Sequence, residues 1–221
     1  MNRLAAIGIF GGTFDPIHHG HLRLAQEALE QCRLSEVRFI PSGTPPHRTT
    51  PLASPEHRVQ MVRLAVQNQP GFTLDEREAG RTDPCYSFDT FSSLRAELGE
   101  HQPLCLLLGS DAFLKLNTWH RWKKLFELTH ILVMQRPGRP VGNAITQADE
   151  ALRQEYQSRL APTLQLLHES PSGLVVVLDM PQLEISATDI RNRAAQNKNL
   201  RYLLPEAVAQ YIKFNQLYKT C

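Results

Sequence analysis

The sequence lacks a long apolar run, a strong charge of one sign and the composition of a disordered chain. A bilayer-spanning helix needs about 20 consecutive apolar residues, and no such run is present, so we expect no membrane partner. The 24 Lys and Arg residues nearly balance 22 Asp and Glu residues, for a net charge of +2, so we expect no broad basic surface for nucleic acid. Because 42% of the 221 residues are hydrophobic, the chain can bury a core rather than stay disordered.

Cysteine is also scarce, and no two cysteines form a CxxC pair. Their spacing predicts neither a disulfide framework nor a zinc knuckle; the four residues are Cys32, Cys85, Cys105 and Cys221. Free thiols indicate a reducing compartment. The segment from Met1 to Phe10 contains one arginine and a short apolar run, but it lacks the apolar core and the cleavage site of a signal peptide. These features together predict a cytoplasmic protein.

Short apolar runs alternate with amphipathic segments along the chain. Strands are predicted over residues 6–10, 37–41, 72–74, 104–108, 131–134 and 174–178, and helices over 20–32, from 55 onward, 88–98, 118–128 and 205–218. Ser54 would cap the second helix, Ser87 would cap the third, and Gly99 would end it. This alternation predicts an α/β fold, a single Rossmann-like doubly wound parallel sheet with helices on both faces. We expect one domain over residues 1–221, with the C-terminal helical portion from about 186 to 221 packed on it.

Glycines and histidines follow the first predicted strand in the segment GGTFDPIHHGH, residues 11–21. Adjacent glycines at Gly11 and Gly12 let a ligand approach the backbone, and the free N–H groups of the next helix favour phosphate. His18 and His21 share a face of the first turn, where both can donate hydrogen bonds to phosphate oxygens. Two alternatives stay open: a transition-metal site built from three histidines, and a purely structural histidine pair.

Two hydroxyls and an arginine follow the last predicted strand in the segment ISATDIR, residues 185–191. Ser186 and Thr188 occupy positions typical of a helix N-cap, and Arg191 comes one turn later. Hydroxyls, free helix N–H groups and a guanidinium together can hold a polyphosphate. The alternative is an ordinary N-cap followed by a solvated arginine.

The HxGH segment at a helix start and the SxTxxR segment near the carboxyl end are together similar to the signature of the nucleotidyltransferase superfamily of adenylyl- and cytidylyltransferases. The first segment resembles more specifically that of bacterial nicotinate-nucleotide adenylyltransferases. Four further segments are similar to motifs of that family and occur in the same order: PCYSFDT at 84–90, LGSD at 108–111, LNTW at 116–119 and RPG at 136–138. The resemblance therefore runs from the first strand to Arg191.

This resemblance implies an enzyme of NAD biosynthesis that transfers AMP from ATP to nicotinate mononucleotide, giving deamido-NAD and pyrophosphate. The nucleophile would be an ionised phosphate, so catalysis would consist of positioning and charge neutralisation. Mg²⁺ would accompany ATP, with no metal site built by the protein alone. The alternatives are a sister adenylyltransferase that uses nicotinamide mononucleotide or phosphopantetheine, and a nucleotide-binding regulator without activity. Its partners would be these small molecules, and the protein would be a monomer or a small homo-oligomer.

The resemblance also implies roles for individual residues. The catalytic residues would be His18, His21 and Arg191, and ATP would also contact Gly11, Gly12, Thr13, Phe14, Ser186 and Thr188. The acceptor nucleotide would contact Tyr86, Ser87, Asp111, Trp119, Arg136, His47 and Arg48. Trp119 would stack on the pyridine ring, with a core aromatic as the alternative, and the loop pair His47 and Arg48 has a solvated alternative. No role is predicted for His101, His120, His130 or His168.

Overall fold

A computed structural model describes residues 4–43, 51–81, 83–135, 138, 140–181 and 183–219. The strands are β1 (Ile7–Gly12), β2 (Glu36–Pro41), β3 (Phe72–Leu74), β4 (Leu104–Gly109), β5 (His130–Gln135) and β6 (Val175–Asp179). The α-helices are α1 (His19–Gln31), α2 (Pro55–Val66), α3 (Ser87–Leu98), α4 (Ser110–Phe113), α5 (Trp122–Leu128), α6 (Val141–Ala144), α7 (Glu150–Arg159), α8 (Ala187–Ala195) and α9 (Glu206–Phe214). Short 3₁₀ turns occupy Leu116–Thr118, Ile145–Gln147 and Leu164–His168. Across the described ranges, no helix combines the length and apolarity needed to cross a bilayer.

The strands form one six-stranded sheet in the order β3-β2-β1-β4-β5-β6. The pairs β1–β4, β4–β5 and β5–β6 are parallel, with Gly8 opposite Cys105 and Val133 opposite Val177. The chain runs outward from β1 to β3, returns to the centre at β4 and continues to the other edge. This order confirms the predicted α/β Rossmann-like fold. Strand β4 is an unbroken apolar run because its side chains are buried on both faces of the sheet.

Local capping signals explain several helix ends. Ser54 caps α2 as predicted, since its side chain accepts a hydrogen bond from the backbone N–H of His57. Gly99 ends α3 with φ +86°, a conformation that favours glycine. The predicted cap at Ser87 is wrong, because Ser87 is the first residue of α3 and Tyr86 occupies the capping position without a side-chain bond.

Two predicted helices are too long. The helix predicted over 118–128 begins only at Trp122, because Arg121 has a left-handed backbone with φ +51° that separates α5 from the preceding 3₁₀ turn. The last helix, predicted to reach 218, ends at Phe214. Beyond it, Gln216 and Tyr218 also have positive φ angles, so the helical backbone does not continue through the tail. Helix α7, capped by Asp149, was not predicted.

The chain divides into two compact units. The first unit comprises Met1–Phe10, Ala25–Val37 and Tyr86–Pro181, and the second comprises Gly11–Leu24, Arg38–Cys85 and Gln182–Cys221. The core of the first unit includes Leu104, Cys105, Phe113 and Ile131, and that of the second includes Phe39, Met61, Val62 and Ile190. The prediction of a single domain stays a prediction.

Candidate functional site

A tight loop after β1 begins the site in the second unit. Phe14 has φ +49° and is only 2% exposed, and its ring meets that of His21 edge-on, with centroids 5.2 Å apart. A Cβ at Gly12 would lie 2.9 Å from the Phe14 ring, so a larger residue there would force the buried ring to shift. A Cβ at Gly11 would meet no atom of the described residues within 4 Å. The buried Phe14 ring therefore packs against the loop and offers little surface to a ligand.

The two histidines of the HxGH segment stack at the start of α1. Their ring centroids are 3.7 Å apart with 25° between the planes, and the His18 backbone N–H donates to Nδ1 of His21 over 3.3 Å. Neutral His21 therefore carries its proton on Nε2. A Cβ at Gly20 would lie 3.0 Å from both Cε1 and Nδ1 of His18. The glycine between the histidines thus leaves room for the His18 ring.

His18 is buried and electrically neutral near pH 7. Burial first, and then the charge of His19, lower the pKa of His18 from 6.5 to about 4. Its Nδ1 and the hydroxyl of Ser42 are buried and have no hydrogen-bond partner in the described part of the protein. Such atoms are rare in folded proteins and call for an explanation, such as a ligand or water. Ser42 lies beside the β1 loop, since its N–H donates to the carbonyl of Gly12 over 2.9 Å.

The segment at residues 185–191 is hydrogen-bonded to the loop that follows β1. Ser186 is the N-cap of α8, and its hydroxyl accepts from the N–H of Asp189 over 3.1 Å. One Arg191 nitrogen donates to the backbone carbonyl of Asp15 over 2.7 Å, and another donates to the Thr188 hydroxyl over 3.2 Å. Arg191 is therefore a positioned guanidinium, not a freely solvated one. The structure brings His18, His21, Thr188 and Arg191 together within the second unit.

A buried arginine that the sequence analysis missed holds the loops of this site. Arg58 on α2 is 1% exposed, and it donates to the carbonyls of Thr13, Ser42 and Gly43 over 2.9, 2.6 and 3.0 Å. Its Nε also donates to the carbonyl of Ala53 over 3.3 Å. One side chain thus connects the loops that follow β1 and β2. Burial lowers the pKa of Arg58, but guanidinium groups stay charged in proteins.

Asp15 is a second buried group that the sequence analysis missed. Its carboxylate accepts from the N–H groups of Leu52 and Ala53 over 2.9 and 3.2 Å and from the Tyr218 hydroxyl over 2.7 Å. Burial, with the nearby carboxylate, raises the pKa of Tyr218 well above its usual range, so its hydroxyl remains a donor. Asp15 lies within the segment at residues 11–21, so the sequence could have singled it out, whereas no sequence signal pointed to Tyr218.

The first unit holds four of the predicted acceptor residues. Tyr86 and Ser87 lie at the start of α3, and Asp111 lies in α4 directly after β4. Trp119 follows the 3₁₀ turn and is partly exposed, so it is not a core aromatic. The exposed His120 packs on Tyr86, with ring centroids 4.6 Å apart. His120, for which no role was predicted, thus lies beside a predicted acceptor residue.

Three predicted site residues and two histidines without a predicted role remain. Arg136, His47 and Arg48 lie outside the described residues. His130 and His168 are structural: each Nδ1 accepts from a backbone N–H, of Leu174 and Ala6 respectively, and each Nε2 lies within 3.0 Å of a carbonyl oxygen. The described residues contain no group of three or more His, Cys, Asp or Glu arranged to hold a metal ion.

Comparisons with known proteins give consistent results. Residues 9–193 match the family model described as Cytidylyltransferase-like. A protein of Dechloromonas aromatica named probable nicotinate-nucleotide adenylyltransferase is 46% identical over 213 residues, which are 96% of this chain and 97% of that protein. A protein of the same name from Halorhodospira halophila is 47% identical over 209 residues, or 95% of this chain and 93% of that one.

Solved structures share the fold. The Plasmodium falciparum nicotinic acid mononucleotide adenylyltransferase complexed with APC superposes with a TM-score of 0.68 at 17% identity, covering 97% of both chains. The same enzyme complexed with NaAD gives a TM-score of 0.66 at 17% identity, also with 97% of both chains. At this identity the likeness concerns the fold alone.

Proposed function

The chain belongs to the cytidylyltransferase-like family, among the nicotinate-nucleotide adenylyltransferases, and we propose that it transfers AMP from ATP to nicotinate mononucleotide. The near full-length relatives at 46% and 47% identity support this substrate pair. The observation that carries the proposal is the attachment of Arg191 to the Asp15 carbonyl, three residues before His18. It unites the two phosphate-binding motifs in one unit.

The proposed reaction is a single displacement at phosphorus. A phosphate oxygen of nicotinate mononucleotide attacks the α-phosphorus of ATP, and the bond from that phosphorus to the bridging oxygen of the β-phosphate breaks. Pyrophosphate leaves with the electron pair, and deamido-NAD is formed. Because the attacking phosphate is already ionised, the protein needs no nucleophilic side chain and no strong base. Its task is to align the reactants and to neutralise charge.

The two histidines are proposed to bind the α-phosphate as neutral donors. With its pKa at about 4, His18 donates through one ring N–H and contributes no positive charge at neutral pH. His21 uses Nδ1 to accept from the backbone, which leaves Nε2–H to donate to phosphate. Their stacked rings present two donors side by side. Hydrogen bonds that strengthen as charge develops in the transition state accelerate the reaction.

Arg191, Thr188 and Ser186 are proposed to hold the β- and γ-phosphates. A guanidinium has five N–H donors, and Arg191 uses two of its nitrogens for protein contacts, so donors remain for phosphate oxygens. The Ser186 oxygen accepts from Asp189, and its own hydroxyl proton stays available to a ligand. The cation of this group would neutralise the leaving pyrophosphate.

Mg²⁺ is proposed to enter as part of the ATP substrate. The Asp15 carboxylate is engaged by three donors, and the described residues form no ready cluster of metal ligands. Proteins commonly bind Mg²⁺ through substrate phosphates together with one or two carboxylates, so the ATP phosphates would supply part of its ligands. The ion would supply charge neutralisation on the phosphates.

The acceptor nucleotide is proposed to bind through Tyr86, Ser87, Asp111 and Trp119, with Arg136, His47 and Arg48 as further candidates. A partly exposed indole such as Trp119 offers a flat face for the pyridine ring.

The proposal places the reaction in the cytoplasm, where the free thiols Cys32, Cys85 and Cys105 would stay reduced.

Pyrophosphate release tests this function directly. The protein is mixed with ATP, Mg²⁺ and one acceptor at a time: nicotinate mononucleotide, nicotinamide mononucleotide or phosphopantetheine. We expect the highest kcat/KM with nicotinate mononucleotide. A preference for another acceptor would indicate a sister adenylyltransferase, and ATP binding without turnover on any acceptor would indicate a regulator.

A further inference from the structure

The carboxyl-terminal tail contacts the loop that holds Arg191. Helix α9 ends at Phe214, and Tyr218 follows in a turn with φ +65°. Non-glycine residues rarely adopt this conformation, so surrounding contacts must hold the residue there. One of these contacts is the hydrogen bond from the Tyr218 hydroxyl to Oδ1 of Asp15, at 2.7 Å across 203 positions of sequence.

Asp15 links this hydroxyl to the phosphate-binding arginine. Its carboxylate accepts from Tyr218, and its backbone carbonyl accepts from Arg191 over 2.7 Å. Both groups belong to one buried residue, so a displacement of its backbone after loss of the carboxylate contact would move the carbonyl as well. The other two donors to the carboxylate are the backbone N–H groups of Leu52 and Ala53. Tyr218 is thus the side-chain donor that fixes Asp15 from the direction of the tail.

The hydrogen-bond partners of the Tyr218 hydroxyl are protein groups. Its partners are Oδ1 of Asp15 and, more weakly at 4.0 Å, the sulfur of Met61. The Tyr218 side chain is partly buried. The hydrogen-bonded route from this hydroxyl to the guanidinium leads through Asp15.

We propose that Tyr218 is a positioning residue for AMP transfer, because its hydrogen bond to Asp15 holds the Asp15 carbonyl where it orients Arg191 toward the polyphosphate of ATP. This inference rests on the proposed function of Arg191. The tail is then part of the ATP site although it lies far from the motifs in sequence. A small displacement of a positioning group costs rate, since an error of about 1 Å can cost on the order of 100-fold.

The first experiment compares Tyr218→Phe with the wild type. The substitution removes the hydroxyl and keeps the ring, so the protein is expected to fold. We expect kcat/KM for ATP to fall about tenfold, while KM for nicotinate mononucleotide changes little. The matched control is Tyr211→Phe, which removes a hydroxyl that is bonded to His57 at 2.9 Å in the same unit and does not contact Asp15. Thermal unfolding of both variants measures their loss of stability.

A double-mutant cycle separates positioning from a merely structural role. In the Arg191→Ala background, Tyr218→Phe should change kcat/KM for ATP by less than about twofold, because the group it positions is gone. Its effect on the unfolding temperature should persist in that background. Wild-type kcat/KM in Tyr218→Phe, an equal loss in Tyr211→Phe, or full additivity with Arg191→Ala would each overturn the inference.

A binding measurement distinguishes this inference from the proposed function. Calorimetry without acceptor gives the Kd of a non-reactive ATP analogue with a methylene bridge between the α- and β-phosphates. We expect Tyr218→Phe to weaken analogue binding in the Arg191 protein and not in Arg191→Ala. If the four proteins show this binding pattern but the wild type does not turn over any acceptor, only the proposed function fails. If the wild type turns over and binding is equal in all four proteins, only the inference fails.

Discussion

Gly20→Ala should slow the reaction without unfolding the protein. The new Cβ would lie 3.0 Å from Cε1 and Nδ1 of His18 and 3.7 Å from the carbonyl of Ile185. The second distance is an ordinary contact, but the first forces the His18 ring to move by a few tenths of an ångström. That ring is packed 3.7 Å from His21, so the stacked pair must shift.

Two opposing terms set the stability of this variant. Alanine is favoured over glycine within a helix by about 1 kcal/mol, and Gly20 lies in the first turn of α1. Overpacking costs about 1–3 kcal/mol. The net loss should therefore be at most about 2 kcal/mol. The effect on catalysis has no such compensation, because the proposed donor is displaced, and we expect kcat to fall about tenfold, equivalent to about 1.4 kcal/mol.

Steady-state kinetics and urea unfolding measure the two effects on the same preparation. Gly142→Ala is the control, since Gly142 is also helical and its Cβ would meet no atom of the described residues within 4 Å. The control should keep its kcat and gain a little stability. Unchanged kcat in Gly20→Ala would refute the idea that this glycine exists to seat the His18 ring.

Three further outcomes are expected. His18→Ala or His21→Ala should lower kcat far more than ATP affinity, and an equal loss in kinetics and calorimetry would make them simple binding groups. Burial lowers the pKa of both His18 and His130 to about 4, so the unfolded state binds more protons between pH 6.5 and 4. The free energy of unfolding should keep this contribution in full above pH 6.5 and lose up to about 3 kcal/mol per histidine toward pH 4. Urea unfolding at a series of pH values should show a weaker dependence of this free energy on pH in His130→Gln than in the wild type. An unchanged dependence on pH would contradict the assignment. Arg58→Lys should lose about 3 kcal/mol in urea unfolding, because an ammonium cannot reach all the carbonyls that the guanidinium bonds; a stability equal to the wild type would show that these bonds contribute little.

Local chemistry explains why much of the architecture was predictable. The apolar run of β4, the Ser54 cap and the Gly99 terminus each depend on residues within a turn or two. The same holds for the HxGH segment, where the spacing of His18 and His21 already placed both rings on one face. Signals of this range are written directly in the order of residues.

The errors arose where packing overrides local preference. Nothing local marks Arg121 for a left-handed backbone, which divides the predicted helix over 118–128. The cap at Ser87 was misplaced by one residue, because a serine before an apolar stripe is compatible with either position. The histidines His130 and His168 had no pattern because their partners are backbone groups, which leave no trace in residue identity.

The sequence alone determined the fold class, the two segments proposed to bind phosphate and the family resemblance, because hydrophobic periodicity and the spacing within each motif are short-range properties. Only the tertiary structure decided how the site is held together. Arg58 donates hydrogen bonds to the loops after β1 and β2, and Tyr218 donates one to Asp15 across 203 positions of sequence. Such contacts depend on how distant segments pack, and burial then gives them their strength, since an unpaired polar group in the interior is costly.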